Sequence, residues 1–312
     1  MGQVPAGLAL MVALACASAC GSKSDSGRST GDLPGGQGGG DGDARDDQDG
    51  EQPGDGDEPP MEREDPPICA DIETTPVRSI PSVVFLIDGS SSMKCVYPEE
   101  TSCSCDDQLD ELCQPTGDKS RWRALAEALE GANGVPGLIE SLGSSIRFGL
   151  WIYNDNPTKP ECPAFPAQVD PELDQTSALT GAFPAEPPGY NTPTGRALAA
   201  LVDALPSPTE REQLKLGPQR IVLATDGEPF ACMDRETLAA PALDYQTVLD
   251  ATAQADAKDI DVYVLSLAPT SGDFAAHLQE VAAAGHTGQP YTPADKGQLS
   301  AALNAIIEDA IS

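Results

Sequence analysis

Beyond about residue 81 this sequence predicts an α/β fold: a doubly wound, mostly parallel central sheet flanked by helices. Three observations lead there. Ser82-Val83-Val84-Phe85-Leu86-Ile87 is an unbroken apolar run ending at Asp88, the pattern of a strand covered on both faces. Comparable runs recur down the chain, and amphipathic segments of helical length separate them. The composition also changes sharply. Gly21 to Pro67 is built of Gly, Ser, Asp, Glu and Pro, with Leu33 and Met61 as its large apolar residues, so it has too little to bury to offset the entropy of ordering.

In chain order, residues 1–19 read as an export signal: the apolar segment Gly7 to Ala19 is too short for a stable membrane span and ends in small residues. Ala17-Ser18-Ala19-Cys20 resembles the lipobox of bacterial lipoproteins, which implies that Cys20 becomes an acylated first residue and that the chain is tied to a membrane by lipid. The location implied is the cell envelope, at the outer membrane or cell surface; cleavage by ordinary signal peptidase at the same bond would give a secreted protein instead. Residues 20–67 are expected to form a disordered acidic tether, which suits a folded domain that must clear a membrane surface. The Asp-rich stretch Asp41 to Asp57 lacks the register of a calcium loop.

The folded domain is expected over 68–312, with its core from about 81. After the first strand the sequence predicts strands at Ile146 to Tyr153, Arg220 to Thr225 and Asp261 to Ser266, and a short terminal one near Pro290-Tyr291. Helices are expected at about Arg121 to Glu130, Thr194 to Leu205, Tyr245 to Lys258, Phe274 to Ala284 and Gln298 to Ala310. In such sheets ligands bind beyond the carboxyl ends of the strands, so Asp88 and Asp226 should share one face.

Asp88-Gly89-Ser90-Ser91-Ser92 directly follows the first strand, and its spacing sets one carboxylate and two hydroxyls on a tight turn, a cradle for a hard cation. Asn191-Thr192-Pro193-Thr194-Gly195 opens a helix, and Ala224-Thr225-Asp226-Gly227-Glu228 closes a buried strand with a second carboxylate. Together these segments resemble the von Willebrand factor type A (vWA) domain and its metal-ion-dependent adhesion site, over about residues 81 to 312. The resemblance implies that Ser90, Ser92 and Thr192 bind Mg²⁺, or Mn²⁺ or Ca²⁺ in its place, through oxygen. Asp88 and Asp226 would reach the ion directly or through water, and Thr194 is the alternative to Thr192. Ser91 stands where the family more often has Gly and is not expected to be a ligand. One coordination position is left for a carboxylate from a partner, a protein or a surface ligand. Asp and Ser also cap helices and turns, but capping alone does not bring three such segments together in order.

The chain carries 50 acidic and 18 basic residues, a net charge of −32, which argues against nucleic acid or any polyanionic partner. The tether accounts for −10 of that, leaving −22 on the rest. Four cysteines, Cys95, Cys103, Cys105 and Cys113, lie in an insertion over 94–118 just after the metal motif. In an exported chain disulfides are the default, with zinc as the alternative that their spacing fits less well. Cys162 and Cys232, both in loops after strands, are the further candidates to pair.

No catalytic residue is expected. His277 and His286 have no nucleophile in a recognisable elbow and read as surface or cap residues, and Gly117-Asp118-Lys119-Ser120 lacks the glycine and strand of a phosphate loop. Trp122 and Trp151 read as core. The sequence therefore favours a non-enzymatic binding module over two alternatives: a metal-dependent hydrolase or enzyme subunit, and a scaffold that binds nothing.

Overall fold

The computed structural model describes residues 79–97, 119–156, 158–234, 236–237 and 241–311. The export signal, Cys20, the acidic tether and the insertion cysteines Cys103, Cys105 and Cys113 lie outside the described residues.

The described chain runs β1 (Ser82–Asp88), a 3-10 turn (Ser91–Lys94), α1 (Arg121–Glu130), β2 (Gly131–Ala132), β3 (Val135–Pro136), α2 (Leu138–Leu142), β4 (Arg147–Asn154) and β5 (Ala164–Glu172). It continues through α3 (Thr176–Ala182), α4 (Thr194–Ala204), α5 (Pro208–Leu214), β6 (Gln219–Thr225), α6 (Tyr245–Ala257), β7 (Ile260–Ser266), α7 (Gly272–Ala284) and α8 (Lys296–Ala310). Five strands form one sheet in the order β5-β4-β1-β6-β7, while β2 and β3 form a small separate hairpin. The β4-β1-β6-β7 pairs are parallel and β5 joins β4 antiparallel, so the doubly wound, mostly parallel sheet expected from the sequence is the observed one.

The unbroken apolar run of β1 has a direct cause. Val83, Phe85 and Ile87 face one core, with Trp122, Leu125 and Leu129 of α1 and Leu299, Leu303 and Ile306 of α8. Val84 and Leu86 face the other, with Leu198 and Leu201 of α4, Val248 and Ala251 of α6 and Leu278 and Val281 of α7. Successive strand residues alternate in direction, so a strand with helices over both faces must be apolar throughout. The buried Trp122 and Trp151 agree with their reading as core residues. Gly195 marks where α4 meets α6: a Cβ there would lie 2.6 Å from the backbone carbonyl carbon of Thr247.

Three features differ from the sequence reading. The terminal strand near Pro290-Tyr291 is a single parallel bridge between Tyr291 and Leu265, because prolines at 290 and 293 have no N–H to extend a ladder. The edge strand β5, not expected, carries Pro166 and Pro171, which an edge tolerates and which hid it from a search for apolar runs. His277 is a buried residue of α7, 4% exposed and with its ring packed at a tilt on Tyr245, because it falls on the helix face turned towards the core. Among the described residues no helix is long and apolar enough to cross a membrane.

Candidate metal centre

The sheet order places the chain's switch of direction at β1: the strand after it in the sheet, β4, pairs on one side, and β6 on the other. Crevices at such points lie beyond the carboxyl ends of the strands. Asp88 ends β1, and Asp226 follows the last residue of β6.

The motif after β1 folds back on its own carboxylate. The Ser90 backbone N–H donates to Asp88 Oδ1 at 2.8 Å, and the Thr225 hydroxyl donates to Asp88 Oδ2 at 2.9 Å. The hydroxyls of Ser90 and Ser92 lie 2.9 Å apart, and Ser92 donates to Asp226 Oδ1 at 2.6 Å. Asp88, Ser90, Ser92 and Asp226 are thus one hydrogen-bonded chain linking two strand ends. Gly89 permits the tight turn between them: a Cβ there would meet Ile152 Cγ2, Pro188 Cδ and the Tyr153 carbonyl at 3.0 to 3.1 Å.

Thr192 arrives on the loop before α4. It is buried, and its carbonyl accepts the N–H groups of Thr194 (2.8 Å) and Phe230 (2.9 Å), which ties the loop to the segment after β6. A bridge between Asp155 and Asn191 ties the same loop to the end of β4. The Thr192 hydroxyl is not part of the hydrogen-bonded chain of the other four residues. Thr194 differs, because its hydroxyl is in hydrogen-bond contact with the buried Tyr153 hydroxyl at 2.9 Å.

Two residues that spacing did not single out complete the arrangement. Ser91 accepts the Tyr190 N–H through its hydroxyl at 2.8 Å, while its own N–H donates to the Tyr190 carbonyl at 3.0 Å, so it clips the Thr192 loop onto the motif. Tyr190 itself takes a positive φ of 75°. Arg121 donates from Nη1 to Asp226 Oδ2 at 2.8 Å in a buried ion pair. Neither could be found by motif spacing, since each acts across about a hundred positions of chain.

The electrostatics follow from burial. Asp88 is fully buried and Asp226 is 5% exposed. Burial first, and then the Asp226 carboxylate, push the Asp88 carboxyl well above the usual carboxylate range, against bonds from Ser90 and Thr225 that act to lower it. Burial, with the Asp88 charge second, likewise raises the Tyr153 hydroxyl. Two buried carboxylates, with a guanidinium on Asp226 alone, remain short of positive charge. The donors are all oxygen, two carboxylates and nearby hydroxyls, a set that fits a hard divalent cation better than a thiophilic one. Among the described residues no group of three or more His, Cys, Asp or Glu side chains could hold a metal, so any site here relies on hydroxyls.

Cys162 and Cys232 form a disulfide, as the sequence suggested, which joins the loop before β5 to the loop after β6. Beside it, the Met233 N–H donates to the Asp155 carboxylate at 2.6 Å. Cys95 is also disulfide-bonded.

Neither a protein-family profile nor a curated protein sequence matches this chain. Solved structures similar to it in shape include the D319A mutant of the PilB minor pilin from Streptococcus sanguinis, at 15% identity and a TM-score of 0.49 over 76% of this chain and 62% of that one. Another is the pilus adhesin SpaC from Lactobacillus rhamnosus GG, at 14% identity and a TM-score of 0.48 over 76% and 31%. A third is a von Willebrand factor type A protein from Catenulispora acidiphila, at 15% identity and a TM-score of 0.44 over 75% and 43%. The chain spans less than two thirds of the length of each of these.

Proposed function

We propose that this protein is a vWA-type binding module that captures a protein or surface ligand through a divalent cation, and that it catalyses no reaction. The observation that carries this is the hydrogen-bonded chain from Asp88 through Ser90 and Ser92 to Asp226 at the carboxyl ends of two adjacent strands. Asp88, Ser90, Ser92, Thr192 and Asp226 would hold the ion, Mg²⁺ by preference with Mn²⁺ or Ca²⁺ able to replace it, and the bound ion supplies a coordination position for an oxygen of the ligand. Ser92 is half-buried, the most accessible of the five residues, which puts the approach for a ligand at its side of the turn. Among the described residues the groups that touch the carboxylates are hydroxyls, backbone N–H groups and an arginine, with no His, Cys or Lys beside them to act as a poised base or nucleophile.

The lipobox-like Ala17-Ser18-Ala19-Cys20 and the acidic tether support export and anchoring to an envelope membrane through lipid on Cys20. Cys20→Ser should release the protein from the membrane fraction, and mass spectrometry should find a diacylated Cys20 in the native protein. The metal reading is tested by calorimetry with Mg²⁺ and Mn²⁺. Binding should be seen for the native chain and be lost in Thr192→Ala and Asp226→Ala, both still folded because the sheet core supplies most of the burial. Absence of divalent-ion binding by the native chain would sink it.

A further inference from the structure

Arg121 is the charged residue of this site for which metal binding gives no role. It opens α1, and its position is set by the foot of the cysteine-rich insertion. Its backbone N–H donates to the Cys95 carbonyl at 2.9 Å, Val96 pairs with Ser120 in an antiparallel bridge, and the Tyr97 N–H donates to the Lys119 carbonyl at 2.8 Å. Cys95 to Tyr97 and Lys119 to Arg121, the described residues at the two ends of the insertion, are therefore paired with each other, and the first residue of α1 reaches Asp226.

The Arg121 side chain is only 8% exposed, and its Nε is buried with no hydrogen-bond partner among the described residues. A guanidinium keeps its charge at every working pH, and a buried one with unmet donors is expensive to maintain. Packing alone would be served as well by an apolar side chain of that length. What the arginine adds is a permanent positive charge held against one oxygen of a metal-site carboxylate. Its bond is to Oδ2 of Asp226, whereas Ser92 meets Oδ1, so the guanidinium and an ion on the Ser92 side can share that carboxylate.

We propose that Arg121 sets the charge of the centre: it weakens divalent-ion binding and, once the ion is in place, leaves the centre one charge positive, so that an anionic oxygen is selected for the open position. The inference rests on the metal-binding reading given above. With both carboxylates ionised, as binding of a divalent ion to them requires, Asp88, Asp226 and Arg121 sum to one negative charge, which the ion inverts to one positive. Without the guanidinium the same ion would only neutralise two carboxylates, and a neutral centre has little reason to prefer a carboxylate over water. Arg121 thus trades affinity for the ion against selectivity for an anionic ligand group.

The test uses the full chain with Mn²⁺ alone as the metal probe and acetate as the anionic probe, comparing wild type with Arg121→Gln, Arg121→Met and Arg121→Lys. Calorimetry should find Mn²⁺ bound about tenfold more tightly by the Gln and Met variants, as removal of a nearby like charge requires, with Arg121→Lys close to wild type. At equal Mn²⁺ occupancy, the paramagnetic relaxation of acetate protons should fall several-fold in the Gln and Met variants and persist in Lys. Equal Mn²⁺ affinity in wild type, Gln and Met, or equal acetate relaxation in all four proteins, overturns the inference and leaves the metal reading standing. Absence of Mn²⁺ binding in all four removes the metal reading and this inference with it. Should the Gln and Met variants fail to fold, Arg121→Lys decides, since a charge-retaining variant that binds Mn²⁺ tenfold more tightly contradicts a role for charge.

Discussion

Ser92 donates its hydroxyl hydrogen to Asp226 at 2.6 Å although 134 positions separate the two residues. The bond joins the turn after β1 to the end of β6, and it aligns the two sequence segments that carry the carboxylates of the candidate site. Ser92→Ala leaves Asp226 Oδ1 without this donor and takes one oxygen from the candidate centre. Loss of a group that supplies or orients a metal ligand typically costs about 10- to 100-fold in affinity, so Mn²⁺ binding measured by calorimetry should fall about tenfold or more. An unchanged affinity would exclude Ser92 as a ligand.

Ser91 is predicted to matter without touching the ion. Its hydroxyl holds the Tyr190 N–H, two residues before Thr192. Ser91→Ala should cost about 1 kcal/mol of stability in urea unfolding, and it should weaken Mn²⁺ binding by less than Thr192→Ala does. A variant as impaired as Thr192→Ala would mean that Ser91 is itself a ligand.

The disulfide between Cys162 and Cys232 spans 70 positions and ties together two loops on the face of the strand ends. On the chain-entropy account, closing a loop of that size stabilises the native state by roughly 4 kcal/mol. Replacing both cysteines by serine should therefore lower the thermal midpoint by several degrees or more. The Met233 bond to Asp155 should loosen with it, seen as faster hydrogen exchange at Met233.

His277 provides a pH dependence away from the candidate site. Burial holds its imidazole below the ordinary value of 6.5, with Glu280 acting weakly in the opposite direction. The unfolded chain therefore takes up the proton first as pH falls. The stabilisation is complete above about 6.5 and is lost progressively below it, by at most about 1.4 kcal/mol per pH unit. Urea midpoints at pH 7.5 and 5.5 should diverge in wild type by more than in His277→Phe, which keeps an aromatic ring against Tyr245. Equal divergence in the two proteins would assign the pH dependence elsewhere.

What could be read from the residues alone was whatever local pattern expresses. The apolar runs of β1, β4, β6 and β7 announced a sheet covered on both sides, because burial on two faces leaves no room for alternation. Asp88, Ser90 and Ser92 were legible as candidates because they are neighbours on one turn, and Asp226 because it directly follows a buried strand. Thr192 came from the likeness of its segment to a known family. The edge strand β5 stayed hidden because its prolines and mixed polarity resemble a loop until β4 offers it an antiparallel partner. Tertiary structure alone decided the rest. The pairing of β4 and β6 on opposite sides of β1 brings Asp88 and Asp226 side by side, 138 positions apart in sequence, and it sets Ser91 against Tyr190 and Arg121 against Asp226. Those contacts depend on which strands are neighbours, and hydrophobic periodicity is the same for every order in which the strands could be laid down.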